Sequence, residues 1–177
     1  QAKLIASDAA AGDLFGDAVA LTADIAVIGA RANDDAGSGS GSAYVFTRST
    51  EDIWSQQEKL VASDAATAGL FGASLSFDGA QLAVGAPGAG RVYVFESPDW
   101  FETGTLAGDL LFGGDVAIDG EGLAVATQGV PSGTVDVYRR SEALLPPPVP
   151  VGVFDSITGE WTIGNNAGEV TTFFYGI

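Results

Sequence analysis

One segment of this sequence occurs twice almost unchanged. Residues 3–16 read KLIASDAAAGDLFG and residues 59–72 read KLVASDAATAGLFG, and a shorter version, TLAGDLLFG, occupies residues 105–113. Self-similarity at intervals of tens of residues is typical of proteins that stack one supersecondary unit several times. The chain is therefore predicted to be an array of repeats. Residues that recur with the repeat are expected to serve its packing rather than catalysis.

Each unit is predicted to contain four β-strands. Alternating apolar residues indicate the first strand, small apolar residues the second, and a Tyr/Val/Phe alternation the third. Asp-Gly pairs at 78–79 and 119–120 mark tight turns between the first two strands. No segment has a helical period long enough to predict a helix. The predicted strands are 17–22, 25–30, 42–48 and 53–62 in the first unit, 74–78, 81–86, 91–96 and 100–107 in the second, and 115–119, 122–127 and 134–139 in the third.

The fold class is predicted to be all-β, with β-propeller-type blades. Units of four strands and this length match the blades of a propeller, so residues 1–141 are expected to form three of them. Residues 142–150 are rich in proline, which stiffens a chain, and are predicted to be a linker. Residues 151–177 are predicted to be a small appendage of three short strands. Three blades are too few to close a ring, so we expect a part of a larger chain or an assembly of chains.

Composition excludes several functions. The chain has 23 acidic and 7 basic residues and a net charge of −16, which repels nucleic acid and anionic membrane surfaces. No apolar stretch is long enough to span a membrane. Because the sequence contains no Cys and no His, thiol catalysis and His-based triads are excluded. The acidic residues Asp13, Asp17, Asp109 and Asp115 flank the Phe-Gly pairs and recur with the repeat. We therefore expect them to be structural, and the chain is predicted not to be an enzyme.

The recurring frame resembles the FG-GAP repeat, the blade unit of integrin-alpha-like β-propellers, and most of all its bacterial extracellular version. The resemblance covers residues 1 to about 141 and rests on Phe71-Gly72 and Gly85-Ala86-Pro87. The third unit departs from the frame, with Ala126-Thr127-Gln128 where Gly-Ala-Pro is expected. The resemblance implies a secreted or cell-surface, non-enzymatic module for recognition or adhesion, with a protein or glycan ligand.

The resemblance also implies a calcium site. FG-GAP repeats often bind calcium in the loop between the second and third strands, through oxygens at alternating positions. In the first unit Asn33 and Asp35 have this spacing, and Gly37 permits the turn. They are the candidate metal ligands, and calcium is the one cofactor predicted. A complete site needs about six to eight oxygens, so a solvated turn is the alternative interpretation of this loop.

The N-terminal segment favours a second function. Residues 1–8 correspond to residues 57–64, which are predicted to be the outermost strand of a blade, yet they precede the first unit. A strand in this place can complete the sheet of another copy. The alternative is therefore a structural subunit of a cell-surface fibre or layer, assembled from copies of itself by strand exchange. A third possibility, an accessory domain of a secreted hydrolase, requires a catalytic domain outside residues 1–177.

Overall fold

The structure of the protein is a computed structural model that describes residues 1–129 and 132–139, together with three strands near the C-terminus. The chain divides into two compact units, Gln1–Arg140 and Ser141–Ile177. The described residues form strands and turns. Among them there is no helix that is long and apolar enough to cross a membrane. The linker predicted at residues 142–150 lies outside the described residues.

The N-terminal compact part of the chain, Gln1–Arg140, holds three antiparallel sheets, and each sheet is a meander of consecutive strands. We call them blades 1, 2 and 3. Blades 1 and 2 have four strands each, as predicted, whereas the described part of blade 3 has three. Blade 1 contains β1 (Phe15–Leu21), β2 (Ile25–Ala30), β3 (Ser42–Arg48) and β4 (Trp54–Leu60); blade 2 contains β5 (Ser74–Phe77), β6 (Gln81–Ala86), β7 (Arg91–Glu96) and β8 (Phe101–Ala107); blade 3 contains β9 (Phe112–Asp119), β10 (Gly122–Thr127) and β11 (Thr134–Arg139).

The all-β fold class with blade-type sheets is confirmed. The second and third strands of all three blades match the predicted bounds residue for residue. The first strands of blades 1 and 3 begin earlier than predicted, because the Phe-Gly pair itself joins the sheet with an irregular register. In the C-terminal unit, β12 (Val151–Asp155), β13 (Glu160–Gly164) and β14 (Val170–Phe174) form an antiparallel sheet in chain order. Residues 1–14 form no strand.

The phenylalanine of each Phe-Gly pair packs on aromatic residues of the third strand in its own blade. Phe71 lies 5.4 Å from Tyr93 and 6.0 Å from Phe95, measured between ring centroids. Phe15 contacts both aromatic residues of β3 in the same way, and Phe112 contacts Tyr138 of β11. Burial of one such side chain contributes about 2 kcal/mol. The contact therefore recurs because it holds the start of each blade on that blade's own sheet.

Successive blades bury apolar faces against each other. We call the face that carries the Phe-Gly phenylalanine the leading face and the opposite one the trailing face. The trailing face of blade 1 packs on the leading face of blade 2, and the trailing face of blade 2 packs on the leading face of blade 3. In the first interface the trailing face supplies Val27, Ala43 and Val45, and the leading face supplies Phe71, Leu82, Val84, Tyr93 and Phe95.

A glycine in the second strand lets the next blade approach. A Cβ atom at Gly29 would overlap the backbone carbonyl of Gly72, the glycine of the next Phe-Gly pair. A Cβ atom at Gly85 would overlap the carbonyl of Gly113 in the same way. Both distances would be far below van der Waals contact, and the two carbonyls are backbone groups that cannot rotate away. At Gly85 the Cβ atom would also overlap the Ser74 hydroxyl. We call this contact the glycine joint. It explains why the second strand ends in Gly-Ala in blades 1 and 2.

The glycine joint predicts a steric effect of a single methyl group. We expect Gly85→Ala to lower the free energy of unfolding by about 2–3 kcal/mol, because the two blades must separate to accommodate the Cβ atom. Urea denaturation followed by circular dichroism measures this change. Gly104→Ala is the matched control, since it adds a methyl group to a strand where nothing lies within 4 Å. It should change the stability by less than about 0.5 kcal/mol. Equal effects of the two substitutions would contradict the joint.

Candidate interaction surfaces

Asn33, the first predicted calcium ligand, is buried and forms hydrogen bonds that hold its own loop in place. Its side chain is only 2% exposed. The Nδ2 atom donates to Oδ2 of Asp13 at 3.2 Å, and Oδ1 accepts from the Ser42 hydroxyl at 2.9 Å and from the backbone N–H of Asp35 at 3.3 Å. These bonds tie the loop after β2 to the segment before β1 and to the first residue of β3. They engage both polar atoms of the Asn33 side chain.

Asp35, the second predicted ligand, is paired with a lysine. The Lys59 ammonium group bridges the carboxylates of Asp35 and Asp8 and lies 5.3 Å from the ring centroid of Tyr44. The hydrogen bond from Lys59 lowers the pKa of Asp8 below its ordinary value. Partial burial lowers the pKa of Lys59, but its bonds to the two carboxylates outweigh that effect and raise it. Lys59 therefore links three parts of the chain: the N-terminal segment, the loop after β2, and β4.

The contacts made by the residues of this loop do not fit a calcium ion. Asn33 Oδ1 already accepts two hydrogen bonds inside the protein, and the charge of Asp35 is balanced by Lys59. Within residues 1–129 and 132–139, no group of three or more Asp, Glu, His or Cys side chains could hold a metal ion. A calcium ion needs about six to eight oxygen ligands. The calcium site stays a prediction of the sequence, to be decided by titration.

Blade 2 repeats the polar contact with a different cation. The Tyr93 hydroxyl donates to Oδ1 of Asp64 at 2.5 Å, and Nε of Arg91 lies 3.3 Å from the other oxygen of that carboxylate. Burial and the bond to Asp64 both raise the pKa of Tyr93 above its ordinary value. Asp64 corresponds to Asp8 in the repeat. In both blades the aspartate therefore anchors the segment that leads into the blade, which is a structural role that the sequence analysis missed.

Three of the carboxylates beside the Phe-Gly pairs make local contacts with partners of their own. Asp17 pairs with Arg31 at 2.8 Å, and Asp13 holds Asn33 and the backbone N–H of Ala10. Asp115 accepts a hydrogen bond from the backbone N–H of the next residue. Each of these contacts stabilises a turn or a strand end.

Loops of neighbouring blades join into one surface. The backbone N–H groups of Ala68 and Leu70 donate to the carbonyls of Ser38 and Gly39 at 2.7 and 3.0 Å. One blade further, the N–H of Leu111 donates to the carbonyl of Pro87 at 3.0 Å. All these segments lie at the end of the sheets where the second strand meets the third. We call residues 8–14, 31–41, 61–70, 87–90 and 108–111 the loop surface.

Comparison with known proteins identifies the repeat. The sequence matches the FG-GAP repeat family over residues 1–46 and 54–95. This chain is an FG-GAP repeat protein. FG-GAP repeats indicate an integrin-like β-propeller-type module, and they are typical of extracellular or cell-surface proteins and typically non-enzymatic. The two matched segments span blade 1 and most of blade 2. Blade 3 lies outside them, in agreement with its altered second-strand motif.

A solved structure supports the fold. The crystal structure of the computationally designed Ika4 protein aligns over 99% of this chain and 99% of that one, with a TM-score of 0.53 and 16% sequence identity. At this identity the similarity shows the fold alone. No curated protein matches the sequence.

The FG-GAP array leaves apolar side chains exposed on two blade faces. Val19 and Leu21, on the leading face of blade 1, are 67% and 70% exposed. Val135 and Val137, on the trailing face of blade 3, are 64% and 72% exposed. The corresponding residues at the two internal interfaces are buried or half-buried. Sequence analysis did not single out these four residues, although their alternation along a strand was visible.

The geometry of the loop after β2 predicts a weak response to calcium. We expect millimolar Ca²⁺ to change the melting temperature of the FG-GAP chain by less than about 1 °C, because a ligand stabilises only when the folded state binds it. Differential scanning fluorimetry with Mg²⁺ as the control measures this. A rise of several degrees with Ca²⁺ alone, lost in Asp35→Ala, would instead establish the calcium site predicted from the sequence.

Proposed function

We propose that this FG-GAP chain is a non-enzymatic extracellular module for recognition or adhesion, which binds a protein or glycan ligand with its loop surface. The observation that carries this proposal is the backbone pairing between loops of consecutive blades. Loops that pair through their backbones form a continuous and preorganised surface. Binding to such a surface costs little ordering of the protein.

The side chains of the loop surface suit recognition. Leu110 is 70% exposed, and Leu14 and Leu111 are also exposed. Exposed acidic residues, among them Asp34 and Asp109, lie in the same segments. An apolar centre with a polar rim is the usual anatomy of a protein-binding patch. The strong net negative charge favours a neutral or cationic ligand over an anionic one.

The polar contacts of the described blades support a role without catalysis. Their acidic side chains pair with Arg31, Lys59, Arg91 or Tyr93, or cap turns. These contacts hold segments in place, which is a structural role. The proposal of an extracellular or cell-surface location rests on the family alone.

A matched pair of surface variants tests recognition. The labelled chain is applied to arrays of immobilised glycans and immobilised proteins. Whatever it binds, we expect Leu110→Glu to weaken binding at least about tenfold, the effect of losing one well-buried contact. Ile53→Glu is the control, since Ile53 is exposed at the opposite end of the strands. Equal binding by both variants, or no binding on either array, would contradict the proposal.

One observation favours the second candidate, assembly of a surface fibre or layer by strand exchange. Every residue of β11 is exposed, and within the described residues no strand pairs with its outer edge. In blade 1 this edge is covered by β4, which places Lys59 opposite Tyr44 and Leu60 opposite Ala43. A strand edge in this state attracts another strand.

The register of the blades identifies the strand that fits β11. Asp136 pairs with Val125 of β10, and Tyr44 pairs with Ile28 at the same position of β2. Asp136 and Tyr44 therefore occupy equivalent positions in the third strand. Lys3 is the repeat equivalent of Lys59. A second copy that placed residues 1–4 on β11 would set Lys3 opposite Asp136 and Leu4 opposite Val135. The tyrosine of the other blades is thus replaced by a residue whose charge complements the incoming lysine.

A charge exchange tests this assembly. Lys3→Glu should weaken self-association several-fold, because it sets two like charges opposite each other in neighbouring strands. The double variant Lys3→Glu/Asp136→Lys should restore the self-association. Lys59→Glu is not a suitable control, because Lys59 forms ion pairs with Asp8 and Asp35 within the chain. Sedimentation velocity over a range of concentrations measures the association. A monomeric wild type, or no recovery in the double variant, would reject strand exchange.

A further inference from the structure

The three strands of the C-terminal unit place aromatic residues in one line. Phe154 of β12 pairs with Trp161 of β13, and Trp161 pairs with Phe173 of β14. Residues that pair directly across neighbouring strands share one face of a sheet. We call these three residues the aromatic row. Because neighbouring strands lie about 4.8 Å apart, the two ends of the row are about 10 Å apart.

The face that carries the aromatic row has no charged residue. Beside the row, Gly152 pairs with Ile163 and Ile163 pairs with Thr171. The opposite face carries the acidic residues Asp155 and Glu160, which pair with each other. The two faces of this sheet therefore differ in chemistry. An uncharged aromatic face requires an apolar partner, because leaving it in water is unfavourable.

The residues immediately before β12 have the composition of a ligand for aromatic surfaces. Residues 144–150 read LLPPPVP and contain four of the seven prolines of the chain. Proline fixes φ, and such a cluster of prolines predicts a polyproline II helix. Aromatic-lined grooves of several peptide-recognition modules bind this helix, and its preformed conformation keeps the entropic cost of binding low.

The dimensions of the predicted helix match those of the aromatic row. A polyproline II helix has about three residues per turn and rises about 3.1 Å per residue, so one turn spans about 9 Å. Leu144, Pro147 and Pro150 are three residues apart and are therefore predicted to lie along one edge of the helix. Two successive positions of this edge have nearly the same separation as the two ends of the aromatic row.

We infer that the aromatic row of β12, β13 and β14 is a binding site for a proline-rich segment, and that its occupant is residues 144–150 of a second copy of this chain. A residue before a proline is restricted to extended conformations, so Val149 and Pro150 are expected to lead straight into β12. A segment that continues β12 in this way cannot turn back over the sheet that it enters. The inference goes beyond the recognition role and does not depend on the loop surface.

A labelled peptide tests the site directly. Fluorescence anisotropy of fluorescein-labelled EALLPPPVP, residues 142–150, is measured as the full chain is added. The chain carries Pro147→Ala/Pro150→Ala, so that its own segment does not compete. We expect binding, and we expect the peptide with the same two substitutions to bind at least about tenfold more weakly. Equal binding of the two peptides, or no binding of either, would overturn the inference.

Variants of the sheet locate the site. Trp161→Ala should lower the affinity for the peptide at least about tenfold. Thr162→Ala is the matched control, since Thr162 is the next residue of β13 and lies on the opposite face. If Trp161→Ala does not fold, judged by circular dichroism, Phe173→Leu gives the same readout with a smaller loss of volume. An affinity that these aromatic substitutions leave unchanged would contradict the assignment.

Sedimentation velocity tests whether a second copy supplies the segment. Lys3→Glu is present in every sample, because it weakens the strand exchange proposed for β11. We expect Pro147→Ala/Pro150→Ala to weaken the remaining self-association at least about tenfold, and an excess of the free peptide to do the same. A chain that stays monomeric would reject a second copy as the occupant. Glycan binding that is lost in Trp161→Ala, without peptide binding, would assign the row to a sugar and overturn the inference.

Discussion

The glycine joint is the contact on which the rest of this structure depends. Two blades can bury their apolar faces only if the backbones at Gly29 and Gly72, or at Gly85 and Gly113, approach without a side chain between them. The burial of one large apolar side chain contributes about 2 kcal/mol, and each interface buries several. This burial is possible because Gly29 and Gly85 have no Cβ atom. The two halves of the repeat motif, Phe-Gly and Gly-Ala-Pro, are therefore the two sides of one contact between consecutive units.

The sequence was sufficient to predict the strands because their residues repeat and alternate. Each second and third strand was located by a short run of small apolar residues or by alternating aromatic and β-branched residues between turn signals. The partners of the glycines could not be predicted, since a contact between Gly29 and Gly72 leaves no signal in hydrophobic periodicity. The ion pairs of Lys59 were missed for a related reason. They join residues from three segments, and only the fold brings Asp8 and Asp35 to the same ammonium group.

The calcium prediction rests on the spacing of two residues and stays untested. Asn33 and Asp35 have the separation that alternating metal ligands require, yet the fold engages Asn33 with Asp13 and Ser42. A buried amide with both polar atoms satisfied stabilises the loop, and exposing it to a metal would leave its present partners unpaired. The same residue type in the same spacing is therefore compatible with two roles. Which one applies depends on Lys59, a residue 24 positions beyond Asp35.

Recognition and packing divide the residues of the repeat between them. The leucine before each Phe-Gly pair adopts a left-handed conformation, with φ of 58°, 59° and 72° at Leu14, Leu70 and Leu111. This conformation costs about 1 kcal/mol per residue, which the buried phenylalanine that follows can offset. Residues that recur are thus fixed by the joint and the turn. The loops between the second and third strands differ between blades in sequence and length. This loop comprises residues 31–41 in blade 1 and only residues 87–90 in blade 2. In the proposed recognition role, a ligand would be selected by the residues that do not repeat, on a surface whose shape is set by those that do.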